Sequence, residues 1–180
     1  MIRLFTAIHL PKEQKLSLLS RMAGLPKVRW QTEDQLHLTL RFIGEVEENR
    51  AEEIRLMLSE VSFKAFPIRL SGVGKFGSRK KARMVWAGIE GSNKLKALQE
   101  KITNVLRREG IPPDERKFTP HVTLGRIKGN NGPRLQEFLE GNDDLSMPGF
   151  EVEEFHLMQS HLGRTGAYYR VIEAYPAQFQ

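Results

Sequence analysis

The chain has 180 residues, a hydrophobic fraction of 39% and a formal net charge of +6. That is enough apolar material for one buried core, but it is too dispersed for a membrane span, which needs ~20 consecutive apolar residues. There is no cysteine, which excludes disulfides, thiolate metal sites and a cysteine nucleophile together; the surplus of positive charge is compatible with an anionic partner, although on charge alone a solvated basic surface is the favoured reading.

The opening MIRLFTAIHLPKEQ has a short apolar run broken by Thr6 and His9 and no small-residue cleavage site. It reads as a first strand (3–10) rather than a secretion signal, and the expected location is cytoplasmic. From Pro11 to Ala23, Leu16, Leu19 and Met22 recur at helical spacing, with Gly24 just beyond. VRW (28–30) reads as a short strand. LHLTLRFIG (36–44) alternates and stops at Gly44, and 46–61 reads as a helix with Ile54, Leu58 and Val61 on one face. FPIRLSGVG (66–74) and MVWAGIE (84–90) read as strands flanking the basic turn KFGSRKKAR (75–83). That turn, with Lys75, Arg79, Lys80, Lys81 and Arg83, suits a phosphate-holding loop or a solvated hairpin tip.

The clearest helix is 92–110. Ser92 can cap it, Leu95, Leu98, Ile102, Val105 and Leu106 form its stripe, and Gly110 ends it. FTPHVTLGRI (118–127) then reads as a strand, 133–140 as a short helix, and 150–160 and 166–175 as a hairpin turning at Arg164 and Gly166. The order before residue ~90 resembles the order after it. The expected fold is a single α+β domain (1–180) of two pseudo-symmetric lobes, each an antiparallel sheet backed by helices, with a central groove.

HLTL (37–40) and HVTL (121–124) lie nearly half a chain length apart. On a strand, residues i and i+2 share a face. His37 projects with Thr39 and His121 with Thr123, while the apolar residues between them turn inward. A pseudo-twofold relation would bring both pairs to one spot. Two imidazoles suit phosphoryl chemistry, because one can accept a proton from an attacking oxygen while the other gives one to a departing oxygen. The Thr hydroxyls can donate to nonbridging phosphate oxygens.

Arg126 and Phe42 each follow their His by five positions, an odd offset that reverses the face. Arg126 therefore needs a strand end, bulge or bend to reach the groove, and Phe42 by simple alternation faces the core. Other readings stand beside this one. A single HxTx can be a structural strand, and the histidines could ligate a metal, although neither motif carries a third His or a carboxylate. His9, His156 and His161 read as structural, and Trp30 and Trp86 as packing residues.

RLFTAIHLP, LHLTLRFIGEV (36–46), ARMVWAGIE (82–90), FTPHVTLGRI (118–127), Phe155, Leu157, Ser160 and Leu162, and the following GAYYRVIEAYP together resemble the 2H phosphoesterases. Within them they are similar to the RNA 2′,3′-cyclic phosphodiesterases, also called 2′-5′ RNA ligases. The resemblance spans nearly the whole chain and implies a two-lobed fold with no metal or other cofactor. It also implies hydrolysis of an RNA 2′,3′-cyclic phosphate to a 2′-phosphate. His121 would be the general base on water, His37 the general acid on the departing 3′-oxygen, and Thr39 and Thr123 the holders of the phosphate oxygens. Arg126 would add a cationic contact. Phe42 would be a candidate for base stacking, and Lys80 and Arg83 for backbone binding. RNA ligation at the same site and a non-catalytic RNA-binding module are the alternatives, with RNA as the partner, no membrane and a monomer expected.

Overall fold

The computed structural model describes residues 1–78, 80–91 and 93–179. In chain order the elements are β1 (Ile2–His9), α1 (Lys12–Arg21), β2 (Val28–Trp30), a 3-10 turn at Glu33–Gln35, β3 (His37–Val46), α2 (Glu48–Leu58), β4 (Phe66–Gly77), β5 (Ala82–Glu90), α3 (Asn93–Arg108), β6 (His121–Ile127), α4 (Gly132–Gly141), β7 (Phe150–Val152), β8 (Glu154–Gly163) and β9 (Gly166–Pro176). The segment 150–160 divides into β7 and β8, which pair with β4 and β1 respectively. Among the described residues, no helix is long and apolar enough to cross a membrane.

The strands form one antiparallel sheet in the order β7-β4-β5-β6-β3-β1-β8-β9, with β2 pairing beside β6. The two lobes are its two halves, joined where Leu38 of β3 faces Val122 of β6. They do not divide the chain at its midpoint. One lobe takes its main strands (β4 to β7) from the uninterrupted middle of the sequence, with β2 added beside β6, whereas the other combines β1 and β3 with β8 and β9. The reason is the free edge of β1, which is taken by β8. Each histidine-bearing strand follows the same local path: β1 runs through α1 to its antiparallel partner β3, and β5 through α3 to β6.

Helices cover the convex face. The stripe expected on α3 is the buried one, with Leu95, Leu98, Ile102 and Leu106 at 0–1% exposure, and its cap at Ser92 lies outside the described residues. Ile54 and Leu58 of α2 complete that layer with the inward residues Leu38, Leu40, Val122 and Leu124. A separate small cluster of Phe5, Ala7 and Met158, with Tyr169 against it, lies on the opposite, concave face. With the apolar burial placed on one side, the other side of the sheet is left for chemistry.

Candidate active site

The seam builds the site. Because Leu38 pairs with Val122, the antiparallel register sets His37 opposite Thr123 and Thr39 opposite His121. The two His-x-Thr pairs meet on the concave face, as the alternation predicts.

Each imidazole is held in the same way. His37 Nδ1–H donates to the Gln35 carbonyl and His121 Nδ1–H to the Thr119 carbonyl, both at 2.7 Å. A carbonyl oxygen can only accept, so the neutral ring is fixed in the tautomer that leaves Nε2 as the acceptor. Beyond that the sites differ. Thr39 Oγ1 donates to His37 Nε2 at 2.9 Å. Thr123 Oγ1 instead donates to Met84 Sδ at 3.3 Å, leaving His121 Nε2 without a hydrogen-bond partner among the described residues.

Aromatic walls enclose both rings. His37 lies 5.1 Å from the ring of Phe5 and 5.1 Å from that of Tyr169. His121 lies 4.8 Å from Phe76, edge to face, and 6.1 Å from Trp86. These neighbours take the imidazoles out of water and disfavour the charged form. Burial is the main reason that His37 falls from 6.5 to about 4, against the opposing effect of its bond to Gln35, with His9, His121 and Lys15 adding repulsion. His121 is likewise lowered by burial and raised by its bond to Thr119.

Two bulges decide what else faces the groove. Along β3 the pairing with β1 passes from Thr39 to Arg41, skipping Leu40. Along β6 the pairing with β5 passes from Thr123 to Gly125, skipping Leu124. Each extra residue reverses the alternation. Arg126 thus comes back to the histidine face through a bulge, and its charge reaches Tyr169. Phe42 returns at the equivalent position and is 56% exposed, with its ring 6.1 Å from Phe5. The expectation that Phe42 faces the core is corrected: the bulge at Leu40 sends the buried position to Arg41. Arg41 is 6% exposed and donates to the carbonyls of Phe42 and Pro112.

Lys80 and Arg83 are exposed at the β4–β5 hairpin tip, where Arg79 lies outside the described residues. Neither makes a hydrogen bond or ion pair among the described residues, and neither is placed against the histidines. Trp30 packs on Phe138, 5.6 Å away. Trp86 lies against Gly74, where a Cβ would collide with the indole, and this close approach seats the indole beside His121.

Phe5, Phe76 and Tyr169 were not singled out by the sequence, because each reaches its histidine from another strand. The one local signal was Gly74 in β4, a strand glycine that marks close approach by another group. Among the described residues, no group of three or more His, Cys, Asp or Glu is placed to hold a metal ion.

A family model described as the 2′-5′ RNA ligase superfamily matches residues 24–164. An RNA 2′,3′-cyclic phosphodiesterase of Aeropyrum pernix is 38% identical over 142 residues, 78% of this chain and 81% of that protein. Those of Archaeoglobus fulgidus and Thermotoga maritima are 32% and 33% identical, cover 97% and 99% of this chain, and are themselves covered over 99% and 96%. Two solved structures share the fold at 26% identity and a TM-score of 0.80: TT0787 of Thermus thermophilus, over 97% of both chains, and E. coli LigT complexed with 3′-AMP, over 99% of both.

Proposed function

The chain belongs to the 2′-5′ RNA ligase superfamily, a group of 2H phosphoesterases, and from that membership we propose that it hydrolyses RNA 2′,3′-cyclic phosphate ends by metal-independent acid–base catalysis. The observation that carries the reading is the Leu38–Val122 pairing, which brings two tautomer-fixed imidazoles and two hydroxyls side by side on one face of the sheet.

His121 is the base, because its Nε2 lone pair is unengaged. It takes a proton from water as the water oxygen attacks phosphorus. The bond from phosphorus to the 3′-oxygen breaks, and that oxygen takes a proton from Nε2 of protonated His37. The product keeps the phosphate on the 2′-oxygen and has a free 3′-hydroxyl. His37 becomes protonated once the anionic phosphate is bound, since that charge opposes the effect of burial. Thr39 then turns its hydroxyl from the ring to a phosphate oxygen, and Thr123 does the same on its side. Arg126 supplies positive charge at the groove face. An RNA 5′-hydroxyl in place of water would give a 2′-5′ linkage by the same proton transfers.

The test is product analysis on a short RNA with a 2′,3′-cyclic end. The expected product is the 2′-phosphate, formed equally well with and without a chelator. His37→Ala and His121→Ala should each lower kcat by about 10²–10⁴-fold without loss of folding. Undiminished turnover in either variant, or loss of turnover with the chelator, overturns the reading. Joined product in the presence of a 5′-hydroxyl RNA would establish ligation as well. RNA affinity without turnover on any cyclic end would instead identify a binding module.

A further inference from the structure

The concave face carries more imidazole than the reaction uses. His121, His37, His9 and His156 lie on four successive strands, β6, β3, β1 and β8. Leu38 pairs with Val122, His9 with His37, and Ala7 with His156. The rings of His9 and His156 stack, 4.0 Å apart and tilted by 13°. This row is not a proton relay. His37 has committed Nδ1 to the Gln35 carbonyl and Nε2 to Thr39, and among the described residues no hydrogen bond joins it to His9.

The row borders a cavity of about 530 Å³ on the side of His37 away from β6, with His9, Lys15, Gln35, His37, Thr165 and Tyr169 in its wall. Lys15, the fourth residue of α1, is half-buried, and no carboxylate lies within ion-pair distance of it among the described residues. Asp34 also reaches the wall but is exposed. Glu154 is committed to His156 Nε2 at 3.0 Å. His9 is held down to about 4 by burial first, then by His156 and Lys15, against the raising effect of Glu154. The cavity wall therefore carries one ammonium, Lys15, without a carboxylate partner beside the neutral imidazole of His9, and a bound anion would pair with the ammonium and favour protonation of the ring.

We propose that Lys15 and His9 form a second anion subsite, which takes the 5′-phosphate of the nucleoside whose cyclic phosphate lies between His37 and His121. The inference rests on the hydrolase reading above. A strand with a 2′,3′-cyclic end continues only through its 5′ side, so the next phosphate along it is that one. Only a ribose separates the two phosphates of one nucleotide. His9 lies one strand spacing, ~4.8 Å, from His37 on the same face. The subsite makes the protein selective for RNA ends over free nucleoside cyclic phosphates.

The experiment compares adenosine 2′,3′-cyclic phosphate bearing a 5′-hydroxyl with the same compound bearing a 5′-phosphate, on wild type, Lys15→Ala and Lys15→Arg. The wild type should prefer the 5′-phosphate by about tenfold in kcat/KM, the scale of one charged hydrogen bond. Lys15→Ala should bring the ratio close to one, and Lys15→Arg should keep most of it. Circular dichroism confirms that both variants fold. Turnover of both compounds with no preference in the wild type, or a preference that survives Lys15→Ala, overturns the subsite and leaves the hydrolase reading intact. No turnover of either compound by wild type that hydrolyses a short RNA with a 2′,3′-cyclic end overturns the subsite alone, and no turnover of that RNA either overturns both.

Discussion

At the scale of single residues, two histidines in equivalent positions have their neutral tautomer set by carbonyls and their charged form opposed by aromatic walls. This has a consequence for pH. In the acid–base scheme proposed above one ring must be neutral and the other protonated, so the rate is expected to be greatest between their two pKa values. In the free protein both are lowered from 6.5, His37 to about 4. The kcat/KM optimum is therefore expected below pH 6.5. The optimum of kcat is expected at higher pH, because the bound phosphate raises both groups. Profiles measured from roughly pH 4 to 9 check this; a kcat/KM optimum on the alkaline side of neutrality contradicts it. The His-x-Thr pairs were legible in the sequence because a two-residue spacing on a strand is a local rule. The rings of Phe5, Tyr169, Phe76 and Trp86 were not, because they reach their histidines across strands.

Strands and bulges explain why one prediction about orientation failed and another was left conditional. Counting by twos works from His37 to Thr39 and from His121 to Thr123, and stops working at Leu40 and Leu124. Nothing in those leucines announces a bulge, since each simply continues the apolar alternation of Leu38 and Val122. The same device then aims an aromatic ring from one lobe and a guanidinium from the other at the groove. If Phe42 stacks on a base, Phe42→Ala should raise KM by a factor corresponding to ~1–3 kcal/mol while leaving kcat close to wild type. An unchanged KM on a base-bearing substrate would deny it that role. The β4–β5 hairpin offers a second test. Placing a methyl at Gly74 drives it into the Trp86 indole, and overpacking of this kind costs ~1–3 kcal/mol. Gly74→Ala should lower both Tm and kcat, because the indole it displaces is part of the wall beside His121. A variant with wild-type Tm and kcat would show that the indole moves at no cost.

Across the whole molecule, two cross-connections reinforce the narrow seam. Arg29 Nη2 donates to the Thr165 carbonyl and Gln35 Nε2 to the Ala167 carbonyl, each at 2.6 Å. They hold the β8–β9 hairpin against β2 and the 3-10 turn. Arg29→Ala should speed amide hydrogen exchange in residues 163–168 before it affects the helices. Uniform acceleration would instead mean that the bond supports the whole fold. Stability should also depend on pH. His37 and His9 titrate near 6.5 when unfolded and near 4 when folded, so between those values the unfolded chain binds protons that the folded one refuses. Above 6.5 both rings are neutral in either state, and stability falls as pH drops from 6.5 toward 4. Thermal melts of His37→Gln should show a shallower fall than wild type across that window. The strand and helix order was legible from periodicity. The division of lobes was not, because no local pattern says that β8 will take the free edge of β1.

That division also has a consequence for synthesis. The lobe carrying His121 uses only residues 66–152 for its main strands, so it can close while later residues are still being added. The lobe carrying His37 cannot. Until β8 emerges, β1 presents an unpaired edge, and until Tyr169 emerges, His37 lacks one of its walls. The nascent chain would therefore fold from its middle outward. The surroundings of His37 would be finished last, and an exposed strand edge would need protection in the interval.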